Sequence, residues 1–273
     1  MFTLLLSASL LAPAAEPVRY AKPDLLVEPT DAKADHFTIL DTRPKDKYVD
    51  GHIPGAVNVA VGPWAKAVND GKADSSFWSQ ELAKHGVTPK KSVLVYSDDL
   101  RDAARAWWLL KLAGVPDARL LNGGWDAYTA AKLEVSKEAG QPKLAEPSNW
   151  KPEPRLAVMA DVVKLADATD ACVVDARGAT EVAGGKVPGA KVLEWTELID
   201  EKTKKFKPAG ELIKLFDESK IDLGKPCVTY CQGGGRAAVM AFGLELMGAK
   251  DVRNYNKSWG EYGADKTTPK EKK

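Results

Sequence analysis

The sequence predicts an α/β fold of two tandem domains, each a parallel β-sheet flanked by helices. The chain aligns with itself at an offset of 134 residues, which indicates a duplicated domain. Each copy alternates short apolar runs with helical stretches, as strand–loop–helix units do. The length of 273 residues also suits two domains of ordinary size.

The internal repeat keeps one register over two blocks of sequence. In each copy an Asp-x-Arg is followed by Gly-x-x-Pro-Gly-Ala and, later, by Asn-x-x-Trp-x-x-Tyr. Identity of this density at one fixed spacing indicates duplication of a whole domain, because the period is too long for a solenoid repeat. The identical pairs include Asp41 and Asp175, Arg43 and Arg177, Gly51 and Gly185, Tyr96 and Tyr230, Asn122 and Asn256, and Trp125 and Trp259.

The repeat register and the composition together set the domain boundaries. We place the first domain at residues 24–136 and the second at residues 156–268. The segment between them, residues 137–155, contains four prolines. Because proline neither donates a ladder hydrogen bond nor continues a helix, we predict an extended linker there.

Each domain contains two short apolar runs that are typical of buried parallel strands. The first run of each domain ends at an aspartate, and the second is followed by a loop and a helical stretch. Each helical stretch ends at a glycine that suits a left-handed C-terminal cap. The predicted strands are 37–40, 92–96, 171–174 and 227–230, and the helical stretches are 103–113 and 237–247.

The N-terminus predicts the destination of the protein. Residues 4–14 are an apolar stretch that is too short to span a bilayer, and they end in Ala12-Pro13-Ala14, which suits a signal peptidase. We therefore expect residues 1–15 to be a signal peptide, although the first three residues lack the usual Lys or Arg. The protein is then periplasmic or secreted, and it is cytoplasmic if the N-terminus is retained. No other segment approaches about 20 continuous apolar residues, so no membrane span is predicted.

The composition argues against several classes of function. Lys and Arg number 39 against 38 Asp and Glu, so the formal charge of +1 gives no field to attract nucleic acid. Three cysteines are too few for a disulfide framework, and the three histidines are scattered. We therefore predict no metal site and no organic cofactor.

The loop after the second strand of the second domain carries the predicted chemistry. Ligands of open parallel sheets bind outside the carboxyl ends of the strands, and a cysteine stands there. The glycines after it permit backbone angles that turn N–H groups inward, and a helix begins soon afterwards, so the loop favours negative charge. We predict that the cysteine is a thiolate nucleophile. The loop consists of Cys231, Gln232, Gly233, Gly234, Gly235 and Arg236.

Three other features of the second domain leave alternatives open. Arg236 adds a fixed positive charge, which either holds an anionic ligand or braces the loop through Asp175 or Glu181. Cys172 and Cys227 lie within predicted strands, and we expect them to be core residues. Oxidation of these two cysteines stays open in an exported protein.

These motifs together resemble the rhodanese family in its tandem two-domain form, over about Asp24–Asp265. The resemblance rests on Asp-x-Arg with the later Gly-x-x-Pro-Gly-Ala, on Tyr-Cys-x4-Arg-Ala, and on Asn-x-x-Trp-x-x-Tyr. It implies two rhodanese-like domains, with Cys231 matching the persulfide-forming cysteine and residues 232–236 matching the rest of its loop. Asp175 and Arg177 match the family's Asp-x-Arg, where they either support catalysis or form a structural ion pair.

The first copy departs from this pattern at the decisive position. Ser97 stands where the register places Cys231, and three aspartates replace the glycine-rich sequence that follows. A hydroxyl cannot form a persulfide, and the aspartates would repel an anionic donor. We therefore predict a catalytically inactive first domain that forms part of the wall of the active-site cleft, as the resemblance implies.

The resemblance implies transfer of sulfur from a small anionic donor to a thiophilic acceptor, which is cyanide, a thiol or a protein. Thiosulfate is the favoured donor, and 3-mercaptopyruvate is the alternative. A related cysteine phosphatase would have five residues between Cys and Arg, whereas this chain has four. A non-enzymatic sulfur-carrier or protein-binding module is the alternative of another class.

Overall fold

A computed structural model describes residues 18–138, 140, 144–166 and 168–272. The predicted signal peptide, residues 1–15, lies outside the described residues. The described chain forms two parallel sheets flanked by helices, which confirms the predicted fold class.

The first domain contains a parallel sheet of five strands in the order β1-β5-β4-β2-β3. These strands are β1 Leu26–Val27, β2 Phe37–Asp41, β3 Val57–Asn58, β4 Ser92–Tyr96 and β5 Ala118–Leu121. The helices around them are α1 Lys45–Asp50, α2 Val61–Asn69, α3 Ser75–Lys84, α4 Leu100–Ala113 and α5 Gly124–Ala130.

The second domain repeats this arrangement with four strands in the order β7-β6-β8-β9. Leu156 adds a single parallel bridge to Asn254, at the place where β1 pairs in the first domain. The strands are β6 Cys172–Asp175, β7 Lys191–Val192, β8 Cys227–Tyr230 and β9 Val252–Asn254. The helices are α6 Met159–Leu165, α7 Ala179–Ala183, α8 Ala209–Glu218, α9 Gly235–Leu246 and α10 Ser258–Tyr262.

The two long helices begin earlier than the sequence predicted. α4 begins at Leu100 because the side chain of Asp99 caps it by accepting the backbone N–H of Arg101 at 2.9 Å. α9 begins at Gly235, so the last two residues of the predicted cysteine loop, Gly235 and Arg236, form the first turn of this helix. Both predicted left-handed glycines are found, with φ of +92° at Gly114 and +103° at Gly248.

One hydrophobic cluster contains residues of both domains, and each domain has a further cluster of its own. The centre of the shared cluster is the contact between α4 and α9, where the rings of Trp107 and Phe242 meet edge to face with centroids 4.8 Å apart. Within the linker, the backbone N–H of Glu153 donates to Leu112 at 2.8 Å, and Trp150 is buried. α4 begins after the loop that follows β4, and α9 begins at the cysteine loop that follows β8. The packing of α4 on α9 therefore brings the first turn of α4 against the cysteine loop.

None of the helices in the described part of the chain combines the length and the apolar character that a bilayer span requires.

Candidate active site

Cys231 lies directly after β8, at the carboxyl edge of the second sheet, and the residue is 2% exposed. Its Sγ accepts a hydrogen bond from the backbone N–H of Gly234 at 3.1 Å. Gly234 is the N-cap residue of α9, whose first turn carries unpaired N–H groups and a partial positive charge. The sulfur therefore sits where a negative charge is stabilised, as a thiolate nucleophile requires.

Of the three loop glycines, Gly234 has a left-handed backbone conformation. Gly234 has a φ of +89°, and a Cβ there would lie 2.3 Å from Oδ1 and 2.5 Å from the carbonyl oxygen of Asn256. Gly233 has no positive φ, and nothing described lies within 4 Å of the position of its Cβ. Of the three loop glycines, Gly234 alone is therefore required by backbone geometry.

Ser258, at the start of α10, forms a hydrogen bond with the backbone of Cys231. The N–H of Cys231 donates to the Ser258 hydroxyl at 3.1 Å, and that hydroxyl donates to the carbonyl of Tyr255 at 2.7 Å. Ser258 Oγ also lies 3.9 Å from Cys231 Sγ. Ser258 has a φ of +57°, which is unusual for a residue with a Cβ and which marks a constrained site.

Arg236 lies in a bidentate ion pair with Glu181. Its Nη1 and Nη2 donate to the two carboxylate oxygens at 2.5 and 2.8 Å. This partner raises the pKa of the Arg236 guanidinium, and Arg236 in turn lowers the pKa of the Glu181 carboxyl. The geometry matches the bracing alternative, because the charge of Arg236 is already balanced.

Asp175 and Arg177 form a buried network below the loop. The Arg177 guanidinium donates to both Asp175 oxygens, with the shortest contact at 2.6 Å, and also to the carbonyl of Gly185 at 2.8 Å. The Tyr230 hydroxyl donates to Asp175 at 2.6 Å, and burial raises the pKa of Tyr230. The guanidinium also covers the ring of Trp259 at 4.4 Å.

The first domain contains the same network without a cysteine above it. Arg43 donates to Asp41 at 2.6 Å and to Gly51 at 2.7 Å, and the Tyr96 hydroxyl donates to Asp41 at 2.5 Å. The guanidinium lies 3.9 Å from the ring of Trp125. Because both copies keep this network, the geometry favours the structural ion pair over direct catalysis.

Two arginines of the first domain reach the cysteine loop from α4. A Cβ on Gly235 would lie 3.5 Å from Cβ of Arg101 and 3.7 Å from Cζ of Arg105. Arg101 is paired with Asp99 through its Nε at 2.9 Å and its Nη2 at 2.5 Å. Burial lowers the pKa of the Arg105 guanidinium, against the opposing influence of negative charge on Cys231 and Asp102.

The position equivalent to Cys231 in the first domain holds a serine in an altered loop. Ser97 is buried, and its hydroxyl oxygen has no hydrogen-bond partner in the described structure. Asp98 forms an ion pair with Lys47, so the loop is also locally neutralised. A cavity of about 950 Å³ lies beside this loop, and its lining includes Asp99 and Trp195 but none of residues 231–236.

The two remaining cysteines lie far from the loop, at the other end of their strands. Cys172 and Cys227 are direct partners in the register of β6 and β8, and both are buried free thiols. The neighbouring thiol and burial raise the pKa of Cys227. Over the described ranges, no cluster of three or more His, Cys, Asp or Glu side chains is placed to hold a metal.

Sequence reasoning missed two residues of this site, Ser258 and Arg105. The repeat register carries a signal for Ser258, because it aligns with Gly124, whose φ is also +57°. A non-glycine at a left-handed position of a duplicated fold is unusual. Arg105 has no comparable signal, since its proximity to Gly235 depends on how α4 and α9 pack.

Comparison with known proteins places this geometry in a family. A sequence model of the rhodanese-like domain matches residues 22–131 and again residues 159–265. The thiosulfate sulfurtransferase of Corynebacterium glutamicum is 32% identical over 245 residues, which cover 79% of this chain and 78% of that protein. The 3-mercaptopyruvate sulfurtransferase of Escherichia coli K12 is 28% identical, covering 85% of this chain and 87% of that protein.

The solved structures that resemble this chain agree on the fold. The wild-type structure of EanB superposes with a TM-score of 0.83 at 22% sequence identity. The match covers 93% of this chain and 70% of that one.

Proposed function

This chain belongs to the rhodanese family and is a sulfurtransferase, and we propose that it transfers sulfane sulfur from thiosulfate through a persulfide on Cys231. The acceptor is a thiophilic molecule such as cyanide or a thiol. The observation that carries the proposal is the hydrogen bond from the Gly234 N–H to Cys231 Sγ at the N-terminus of α9.

The first step is attack of the Cys231 thiolate on the outer sulfur of thiosulfate. A new S–S bond forms at Cys231 while the S–S bond of thiosulfate breaks, and its electron pair leaves with sulfite. The persulfide anion then occupies the site in which the Gly234 N–H stabilises negative charge.

The second step returns the enzyme to its starting state. The acceptor attacks the outer sulfur of the persulfide, and the electron pair of the broken S–S bond returns to Cys231 as thiolate. With cyanide the product is thiocyanate. Because sulfite leaves before the acceptor reacts, the reaction follows ping-pong kinetics.

The identity of the sulfur donor is a separate part of the proposal. The curated relatives include sulfurtransferases named for thiosulfate and for 3-mercaptopyruvate, so both donors are candidates. Thiosulfate is favoured because the thiosulfate sulfurtransferase of Corynebacterium glutamicum is 32% identical to this chain, against 28% for the 3-mercaptopyruvate sulfurtransferase of Escherichia coli K12. Comparison of kcat/KM for the two donors on the wild-type protein decides between them.

We also propose that the protein is exported to the periplasm or secreted. The support is the apolar run at residues 4–14 that ends in Ala12-Pro13-Ala14. Mass spectrometry of the protein from its native host should find a chain that begins at Ala15 or Glu16. An intact N-terminus would contradict export.

A cyanide-dependent assay of thiocyanate formation tests the catalytic proposal. Wild-type protein should turn over thiosulfate, and Cys231→Ser should be inactive while its thermal unfolding stays close to that of the wild type. A binding or sulfur-carrier module would give no catalytic turnover with cyanide in either protein, and that result would overturn the proposal.

A further inference from the structure

Arg101, Arg105 and Arg236 lie around the cysteine loop, and they differ in how their charge is balanced. Arg236 is paired with Glu181, and Arg101 is paired with Asp99. In the part of the chain that the structure describes, Arg105 forms no ion pair, and its Nε is buried without a hydrogen-bond partner.

The surroundings of Arg105 make this lack of a partner costly. Its guanidinium carbon lies 3.7 Å from where a Cβ on Gly235 would be, so it packs against the first residue of α9. The N-terminus of that helix carries partial positive charge, which repels a guanidinium. Asp102, one turn earlier on α4, is exposed to water, and solvent screens its attraction.

A partly buried cation without a partner persists where a ligand supplies the missing charge. Cys231 is the titratable group of the loop that acts on Arg105. An anion bound beside the Cys231 sulfur would therefore find two donors, the planar guanidinium of Arg105 and the N–H groups that begin α9.

We infer that Arg105, supplied by the first domain, binds the anionic group of the sulfur donor beside Cys231. The inference rests on the proposed function, and it gives the first domain, which has no cysteine, a residue in the substrate-binding site. The sulfonate of thiosulfate and the carboxylate of 3-mercaptopyruvate share the chemistry that a guanidinium recognises. Arg236, which the sequence leaves open for this task, has its charge already engaged by Glu181.

A binding experiment without turnover tests the inference first. In the Cys231→Ser background, which cannot form the persulfide, calorimetry measures the Kd of thiosulfate. Adding Arg105→Gln should weaken binding about ten- to a hundredfold, the size of a lost charge-assisted contact. Adding Arg101→Gln, the matched control one helical turn away, should change Kd less than about threefold.

Kinetics on the Cys231 enzyme give the second measurement. Arg105→Gln should lower kcat/KM for thiosulfate about ten- to a hundredfold, and Arg105→Lys should recover part of the loss because it keeps the charge. An alkyl persulfide without carboxylate or sulfonate should donate sulfur to Arg105→Gln within about threefold of the wild-type rate. This donor also shows that the variant is folded.

Thermal unfolding separates substrate binding from a structural role. Without added anion, the Tm of Arg105→Gln should equal or exceed that of the wild type, because a partly buried charge without an ion-pair partner in the described structure is removed. Thiosulfate should raise the Tm of the Cys231→Ser protein, and Arg105→Gln should remove that rise.

The outcomes distinguish this inference from the proposed function. If Arg105→Gln binds thiosulfate as tightly as its parent, or if Arg101→Gln loses as much, the inference is wrong while sulfur transfer stands. If Arg105→Gln lowers the rates with thiosulfate and with the alkyl persulfide equally, and its Tm also falls, Arg105 has a structural role and the inference is wrong. If wild-type protein forms neither persulfide nor thiocyanate, the proposed function itself fails.

Discussion

Gly234→Ala tests how the loop presents the sulfur nucleophile, and Gly233→Ala is its matched neighbour. Gly234 has a φ of +89°, a conformation that costs a residue with a Cβ about 1–2 kcal/mol. The new Cβ would also lie 2.5 Å from the backbone oxygen of Asn256, well inside contact distance, so the loop must move. Such a movement takes the N–H of Gly234 away from Cys231 Sγ.

The expected effects follow from these two costs. A loss of about 1–2 kcal/mol lowers the Tm by roughly 2–4 °C per kcal/mol in a chain of this size. The rate of persulfide formation should fall more than about tenfold, because the hydrogen bond to the sulfur is lost together with the shape of the loop. Gly233→Ala should change the rate of persulfide formation by less than about twofold and the Tm by less than about one degree, because nothing described lies within 4 Å of the position of the new Cβ.

The rate of persulfide formation is measured by mixing enzyme with thiosulfate under single-turnover conditions and monitoring the release of sulfite. Calorimetric unfolding gives the Tm. Equal damage from the two alanines would refute the reasoning, since it would mean that glycine is needed at 233 for a reason other than backbone geometry. Full activity in Gly234→Ala would show that the N–H contact to the sulfur does not matter.

Four further outcomes are expected. Arg236→Ala and Glu181→Gln should lose similar activity, because each breaks the same pair. Because Arg236 lowers the pKa of Glu181 in the folded protein, the pair stabilises the fold above the ordinary Glu pKa of about 4.3, and this stabilisation is lost as the pH falls through the folded pKa. The Tm difference between wild type and Glu181→Gln should therefore vanish in acid, and it should be small at neutral pH because Glu181 is over a third exposed. A Tm difference that persists in acid would contradict this role of the pair. Ser97→Ala removes a buried hydroxyl that has no hydrogen-bond partner in the described structure, so its Tm should be unchanged or higher and its turnover should stay within a few-fold of wild type. A loss of turnover as large as that of Cys231→Ser would show that the first domain takes part in catalysis. Ser258→Ala leaves the Cys231 N–H unsatisfied and should cost about 1–3 kcal/mol in calorimetric unfolding, whereas an unchanged Tm would show that the contact is weak.

The main strands were predictable from local pattern. The runs at 92–96 and 227–230 match β4 and β8 to the residue, because parallel strands buried on both faces read as unbroken apolar runs. The fixed register of the repeat pairs Asp41 with Asp175 and Arg43 with Arg177. In the structure each Asp-x-Arg forms the same buried ion pair, Asp41 with Arg43 and Asp175 with Arg177.

The contacts that decide the site's electrostatics were not predictable in the same way. Loop composition identifies Cys231 and Arg236 as neighbours, but not which carboxylate engages Arg236. Arg105 stands 126 residues before Cys231, and only the packing of α4 on α9 brings it to the loop. The start of α4 was also misjudged, because the cap at Asp99 adds a turn that hydrophobic periodicity does not show.

The central claim is that sulfur is carried on Cys231, and peptide mass spectrometry tests it most directly. Wild-type protein treated with thiosulfate, without acceptor, should gain one sulfur atom on the Cys231 peptide, and cyanide should remove it. The buried Cys172 and Cys227 should stay unmodified. Sulfur on either of those cysteines, or thiocyanate formation that persists in Cys231→Ser, would contradict the account.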